Sequence, residues 1–337
     1  MSSAAAPSAG PVSRRFNYYR RIFSAYLTSN TSQLTFWHED PQMNPRMRAD
    51  EVGEYYMPFV SKANYSGPKD DSGVPLLDYR GLLGCQYNPI AIAQYGLGNY
   101  NLYVRESSEA RRREFLLIAD WLVANLEPNQ GGFLVWNHHF DWDYRTRLIA
   151  PWYSGLAQGQ GISLLVRAWK HTGREHYLRA ASDALESFFH DVSEGGVSFS
   201  DSEGNLWFEE YIVHPHAPTH ILNGFIWASW GVYDYWLVTR DPRAKVLFDT
   251  AIRTIRQNLP RFDTGFWSLY EQSGTRMKMV ASPFYHRLHI AQLRVLNAIT
   301  GDEVFGNFAD RWQGYAANGL NRRRAFAYKA IFKLLYY

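Results

Sequence analysis

"GISLLVRAWKHTGREHYLRAASDALESFF", residues 161–189, carries the pattern from which the fold can be read. Ile162, Leu165, Val166 and Trp169 recur at three-to-four spacing, which is one face of an α-helix. A polar turn at Thr172 interrupts it, and a second amphipathic helix follows. Two later stretches repeat the plan: "FIWASWGVYDYWLVTRDPRAKVLFDTAIRTI" (225–255) and "IAQLRVLNAITGDEVFGNFADRWQGY" (290–315), with turns at Thr239 and Thr300. The turns are 67 and 61 residues apart (239−172 and 300−239). An earlier pair, "PIAIAQYGLGNYNLYV" (89–104) and "EARRREFLLIADWLVANL" (109–126), turns between Arg105 and Glu109. Helix pairs at a near-constant period cannot each bury an apolar face alone, so they stack or circularise. The expected fold is mainly α, an α/α-barrel or toroid of helix hairpins over residues 89–337. An open solenoid is the alternative.

The N-terminal part reads differently. Residues 1–30 are expected to be a disordered or extended lead. Residues 31–88 are polar, aromatic and rich in Pro, Gly and Asp, and are expected to form a small β-hairpin and loop region. Strands are expected only there, before Pro89. The opening "MSSAAAPSAGPVSRR" lacks the apolar core of a secretory signal. The most apolar stretch, 220–238, is interrupted by Asn223, Gly224, Gly231 and Asp234, which suits a buried helix and not a membrane span. The expected location is cytoplasmic.

With 46% hydrophobic and 20% charged residues in a chain of 337, the composition is that of a globular protein with a substantial core. A net charge of +3 is too small to argue for nucleic acid. Cys85 is the only cysteine, which excludes an internal disulfide and a thiol-rich metal site. The aromatic share, 16% with 12 Trp and 23 Tyr, points either to a large aromatic core or to rings that stack on sugars. Each inner helix also carries an amide near its start, at Gln94, Gln160, Asn223 and Gln292. Such amides should face a solvated cavity or bond to one another.

Candidate chemistry gathers in the loops that precede the inner helices. "WFEEYIVHPHAPTHILNG" (207–224) offers Glu209, Glu210 and Tyr211; "GFWSLYEQ" (265–272) offers Tyr270 and Glu271. "SPFYHRLHIAQL" (282–293) offers Tyr285, His286, Arg287 and His289, and "YRTRLIAPWYSGLAQGQG" (144–161) offers Arg145, Arg147, Trp152 and Tyr153. A metal would draw on His214, His216 and His220, or on His138, His139, Asp141 and Asp143. Neither set has a usual zinc spacing, so no metal is expected. A glycosidase needs two carboxylic acids flanking the bond, and Glu209 and Glu210, being adjacent, should diverge. Asp141, Asp143 or Glu271 would have to supply the second. A third reading removes the proton at C5 of a uronic acid and returns one to the opposite face. That needs a base, an acid such as tyrosine, and a cation to neutralise the substrate carboxylate.

Four segments resemble the heparosan D-glucuronyl C5-epimerase family: "VPLLDYRGLLGCQYNPIAIAQYGLGNY", "IAPWYSGLAQGQGISLLVRAW", "WFEEYIVHPHAPTHILNGFIWASWGVYD" and "SPFYHRLHIAQL". Their order and spacing match across roughly residues 74–293. The resemblance implies an α/α barrel-like domain and cofactor-independent C5 inversion of glucuronate to iduronate within a heparosan-like polysaccharide. It implies catalytic roles for Tyr211, Tyr270 and Tyr285, with Glu210 beside the first. Candidate substrate contacts are Arg147, Arg145, Trp152, Tyr153, Gln160, Asn223, Tyr87, Tyr95, Arg287 and His289. The family's animal members follow the second tyrosine with a basic segment, whereas Tyr270 is followed by Glu271 and Gln272. Arg147, Arg145 or Arg287 would then neutralise the substrate carboxylate, and Arg147 is the first choice. A lyase or hydrolase acting on a uronate glycan is the alternative. The implied partner is the polysaccharide itself, and a homodimer is one arrangement considered.

Overall fold

The computed structural model describes residues 36–37, 40–144, 146–213 and 217–336. The expected lead at 1–30, Arg145, His214 and His216 lie outside the described residues. After a short helix α1 (Val60–Ala63), the chain builds helix hairpins α2 (Pro89–Glu106) with α3 (Glu109–Ala124), and α4 (Gly155–Thr172) with α5 (Glu175–Glu186). Then come α6 (Leu222–Thr239) with α7 (Pro242–Phe262), and α8 (Pro283–Thr300) with α9 (Glu303–Ala317). A last helix, α10, spans Gly319–Tyr336. The first member of each pair is the inner helix, and α2, α4, α6 and α8 pack side by side in that order. This is the α/α toroid expected from the sequence.

The repeat is written into the turns. Thr172, Thr239 and Thr300 each end an inner helix and donate a side-chain hydrogen bond to the carbonyl four residues back, at Ala168, Tyr235 and Leu296. Each hydroxyl also accepts from the backbone N–H two residues on, at Arg174, Asp241 and Asp302. The residue between adopts the left-handed conformation, as Gly173, Arg240 and Gly301, and reverses the chain. Side-chain caps at Ser108, Asp241 and Asp302 then start the outer helices. Inner helices approach most closely where α4 crosses α6. A Cβ on Gly159 would lie 2.5 Å from the Cα of Ala228, and one on Gly231 would meet the backbone of Gly159.

The N-terminal region packs into the same core. Tyr55, Tyr56 and Phe59 are buried among the inner helices. The Tyr55 N–H donates to Asn101 Oδ1 at 2.6 Å, and Asn101 Nδ2 donates to the Met57 carbonyl at 2.9 Å. Arg167 of α4 donates to the Gly53 carbonyl at 3.0 Å. Tyr55 and Tyr56 of this segment fill one end of the toroid, and Met57 to Lys62 carry the chain on to the wall of the other, which the loops complete.

Strands do not stop at Pro89, contrary to the sequence expectation. Besides β1 (Leu77–Asp78) with β2 (Cys85–Gln86), antiparallel pairs form between β3 (Glu127–Pro128) and β4 (Leu134–Val135), and between β5 (Trp142–Asp143) and β6 (Arg147–Leu148). A further pair joins β7 (Ser198–Ser200) to β8 (Leu206–Phe208). Each lies in a long loop between helices that doubles back at a turn such as Asp201–Asn205. There Asp201 Oδ1 accepts from the Glu203 and Asn205 N–H groups. No described helix is long and apolar enough to cross a membrane.

Candidate active site

At the open end the loops enclose a cavity of about 840 Å³. Its aromatic wall includes Tyr79, Phe140, Trp142, Tyr144, Trp152 and Tyr211 from one set of loops, and Tyr270, Phe284 and Tyr285 from another. Glu210, Asn223, Gln94 and Trp227 supply polar groups between them. Rings with hydrogen-bonding groups at their edges suit a saccharide.

The two adjacent glutamates have separate jobs. The Glu209 carboxylate accepts from the Thr219 N–H and hydroxyl, each at 2.9 Å, and from the His220 N–H at 3.1 Å. His220 Nδ1 lies 2.6 Å from its other oxygen. The Glu209 backbone is held as well, its N–H donating to Val197 and its carbonyl accepting from Gly155. Glu209 therefore anchors the loop, and the next residue turns the other way, as divergence of neighbouring side chains requires.

Glu210 lines the cavity and is 4% exposed. Its carboxyl accepts from Asn223 Nδ2 at 3.2 Å. Burial pushes its pKa up to about 8, against the opposing hydrogen bonds of Asn223 and Tyr211, with a small further rise from Glu209. It sits against the first turn of α6, where a Cβ on Gly224 would come within 2.7 Å of its Cβ and closer to its carboxylate. Only glycine leaves room for it there.

Tyrosines meet from different loops. The Tyr211 ring packs against Tyr144 and Trp152, with centroids 4.8 and 5.8 Å away. Trp152 is fixed in turn: its indole N–H donates to the Phe140 carbonyl at 2.8 Å, and His138 stacks on it at 3.8 Å. Burial of His138 lowers its pKa to about 3, so it serves as a neutral platform. Tyr270 and Tyr285 have ring centroids 4.8 Å apart. The Tyr270 loop is pinned to α8 through Ser268, whose hydroxyl is 2.8 Å from His286 Nδ1 and 3.0 Å from His289 Nδ1. Burial lowers the pKa of both histidines, to about 4 for His286.

Several candidates lie away from the cavity wall. Tyr153 donates to the Gly195 carbonyl at 2.8 Å, and Tyr87 donates to Asp70 at 2.7 Å. Tyr95 bonds to Glu114 and accepts from Lys69. His289 is fully buried beneath the Tyr270 loop. Gln160 accepts from Gln94, and Gln292 donates to the Asn223 carbonyl. The inner-helix amides thus divide: Gln94 and Asn223 face the cavity, while Gln160 and Gln292 brace them. Arg147 is exposed and paired with Asp141, and Arg287 is exposed and 3.3 Å from Asp40. Neither lines the cavity. Among the described residues, the cations that do are Lys62, Lys329 and Lys333. The sequence reading passed over Lys329 and Lys333, although their spacing of four on a helix with buried Ala325 and Phe332 marks one face. Among the described residues no three His, Cys, Asp or Glu side chains converge to hold a metal ion.

Comparison with known proteins gives concordant results. Residues 130–314 match the model of the D-glucuronyl C5-epimerase C-terminus. The chain is 35% identical over 229 residues to the D-glucuronyl C5-epimerase of Caenorhabditis elegans, covering 63% of this chain and 36% of the worm protein. It is 30% identical over 198 residues to an uncharacterized protein of Methanocaldococcus jannaschii, covering 58% of this chain and 62% of the archaeal one. The chain therefore spans about a third of the worm relative and under two thirds of the archaeal one. Among solved structures it shares its fold with a cellobiose 2-epimerase from Bacillus thermoamylovorans, at TM-score 0.56 and 11% identity over 89% of this chain and 87% of that one. A D-mannose isomerase superposes at TM-score 0.54 and 9% identity, over 77% of this chain and 67% of the other.

Proposed function

The chain belongs to the D-glucuronyl C5-epimerase family, and on that footing we propose that it inverts C5 of D-glucuronate residues to L-iduronate within a heparosan-like polysaccharide. One observation carries the reading. A buried carboxyl group, Glu210, hydrogen-bonded to Tyr211, faces the same cavity as the Tyr270–Tyr285 pair. Inversion at a carbon acid needs such a pair of proton-transfer groups on the two sides of one sugar ring.

Glu210 takes the C5 proton. The electron pair of the broken C–H bond spreads into the adjacent carboxylate. Tyr285 delivers a proton to the other face, and Tyr270 bonds the ring or carboxylate oxygens. A carboxyl with a pKa near 8 is better matched to this work than an ordinary one, because a base is most effective with its pKa near the working pH. One proton leaves and one returns, so no redox cofactor is called for. Trp152 and the neighbouring rings stack on the sugars. Asn223 Oδ1, Trp227 Nε1 and Gln94 Oε1, which have no hydrogen-bond partner among the described residues, are available to sugar hydroxyls.

Incubation with heparosan in deuterated water tests the reading. Deuterium at C5, read by NMR, with chain length unchanged is the expected result. An unsaturated product absorbing in the ultraviolet would mean elimination, and new reducing ends without ultraviolet absorbance would mean hydrolysis. Either would overturn the epimerase assignment.

A further inference from the structure

We propose that Lys329, on the C-terminal helix α10, receives the carboxylate of the sugar undergoing inversion, with Lys333 one turn further on reinforcing it. The proposal rests on the uronate reading of the cavity above. Removing a proton next to a carboxylate places a second negative charge on that group, and catalysis requires a cation aimed at it. Of the arginines to which the sequence points, Arg147 and Arg287 do not line the cavity, and Arg145 lies outside the described residues. Lys329 does, and it stands beside the reacting groups. Its ammonium lies 5.6 Å from the centre of the Tyr270 ring, and that ring is 4.8 Å from Tyr285. It donates one hydrogen bond, to the Val280 carbonyl at 2.9 Å. An ammonium carries three donors, so this bond aims the side chain without exhausting it.

The remaining cation on the wall is differently placed. The Lys62 ammonium donates to the Phe36 carbonyl at 2.7 Å and lies 4.4 Å over the Phe36 ring, with Trp37 and Phe59 also near. The surroundings of Lys329 also fit the arrival of an anion. Burial and then repulsion from Lys333 bring its pKa down to about 7, with Glu271 opposing. Tyr270 and Tyr285 line the cavity beside it, and Glu210 lines the same cavity. A carboxylate entering there compensates a cation that the empty site holds at a cost. Helix α10 lies beyond the 130–314 stretch matched to the family model, so this charge comes from a part of the chain outside that match.

The test is calorimetric titration of the full chain with a non-sulfated heparosan octasaccharide, and with the same octasaccharide after reduction of its carboxylates to alcohols. Wild type should prefer the acidic form. Lys329→Gln keeps a donor for Val280 and removes only the charge. It should lose affinity for the acidic form by about ten- to a hundredfold, as for a hydrogen bond to a charged group, and bind the reduced form like wild type. Lys329→Arg should recover much of the preference, and Arg147→Ala, whose guanidinium is paired with Asp141 away from the cavity wall, should leave it intact. If Lys329→Gln keeps the wild-type preference and exchanges C5 deuterium at the wild-type rate, the inference fails and the epimerase reading stands. A wild-type protein that binds neither octasaccharide would overturn both.

Discussion

The two ends of the toroid bury acids in opposite ways. At the filled end Asp234 is fully buried, 2.6 Å from Arg167 Nη1, and it accepts from the Tyr56 hydroxyl at 2.7 Å. The guanidinium also donates to Ser163 and Gly53, and its carbon lies 5.1 Å from the centre of the Tyr55 ring. At the open end Glu210 is nearly as buried, yet among the described residues no cation pairs with it. Unpartnered amide and indole atoms of Gln94, Asn223 and Trp227 line the same cavity. Asp234 and Asn223, which holds Glu210, belong to the same helix, eleven residues apart (234−223), or about 16 Å along its axis. A buried charge is stable only when paired, so the first end ties the fold together. The second end gives up stability to keep polar groups available.

The sharpest way to break this comparison is to remove single functional atoms at the open end. Tyr285→Phe and Glu210→Gln should each lower kcat by about 10²–10⁴-fold, the usual contribution of an acid or base group. Melting temperatures should stay within a few degrees of wild type. A large loss of stability with normal turnover of the folded fraction would make these residues structural and erase the difference between the ends. The converse substitution, Arg167→Met, leaves Asp234 buried without its partner and should cost about 3–5 kcal/mol of stability in chemical denaturation. The folded fraction should turn over as wild type does.

Acidity sharpens the contrast further. Glu210 must be ionised to accept the C5 proton, and Lys329 must be charged to receive the carboxylate. For the glucuronate direction kcat/KM should therefore rise as Glu210 loses its proton toward pH 8 and fall again as Lys329, lowered to about 7, loses its own, giving a bell. Stability should move against the rising limb. The folded carboxyl holds its proton up to about pH 8, while the unfolded one loses it near the ordinary value of 4.5. The folded state binds more protons in that window, so stability falls as pH rises through it. Lys329, lowered to about 7 from 10.5, works in the opposite sense above pH 7. The measurement is therefore wild type minus Glu210→Gln, and an identical pH slope in both would remove Glu210 as the titrating group.

Helix pairing was legible because periodicity and the threonine turns are local signals. Thr172, Thr239 and Thr300 close on residues only two to four positions away. The short strands after Pro89 were not legible, since two or three residues are too few to show alternation. Tyr211, Tyr270, Tyr285 and Glu210 could be picked out by family resemblance, and all line one cavity. The resemblance pointed to Glu210, but residue pattern alone does not say which of two adjacent glutamates faces the cavity. The answer depends on Thr219 and His220, ten and eleven residues away, claiming Glu209. The same limit hid the cations, because Lys329 reaches the cavity only when α10 docks on the loop of Val280, 49 residues earlier. Tyr153 and His289 show the reverse error: aromatic residues in cavity-forming segments whose polar atoms serve the loops behind the wall.

The smallest expected effect concerns Arg147, the cation to which the sequence pointed first. Its side chain is 45% exposed and its partner Asp141 is 34% exposed. Asp141 also accepts from the Ala150 N–H at 2.9 Å, which holds the loop without help from the arginine. Solvent screens such a pair, and exposed ion pairs contribute about 0–1 kcal/mol. Arg147→Ala should accordingly leave stability within about 1 kcal/mol of wild type. It should also leave kcat/KM unchanged on heparosan, since the guanidinium is tied to Asp141 and does not line the cavity. Asp141→Ala should do more, because it also removes the acceptor for Ala150. Comparing the two variants in the deuterium-exchange assay separates the readings. Should Arg147→Ala fall as far as Lys329→Gln, the substrate carboxylate would lie at the rim, and the open end would have to be redrawn around the β5–β6 hairpin.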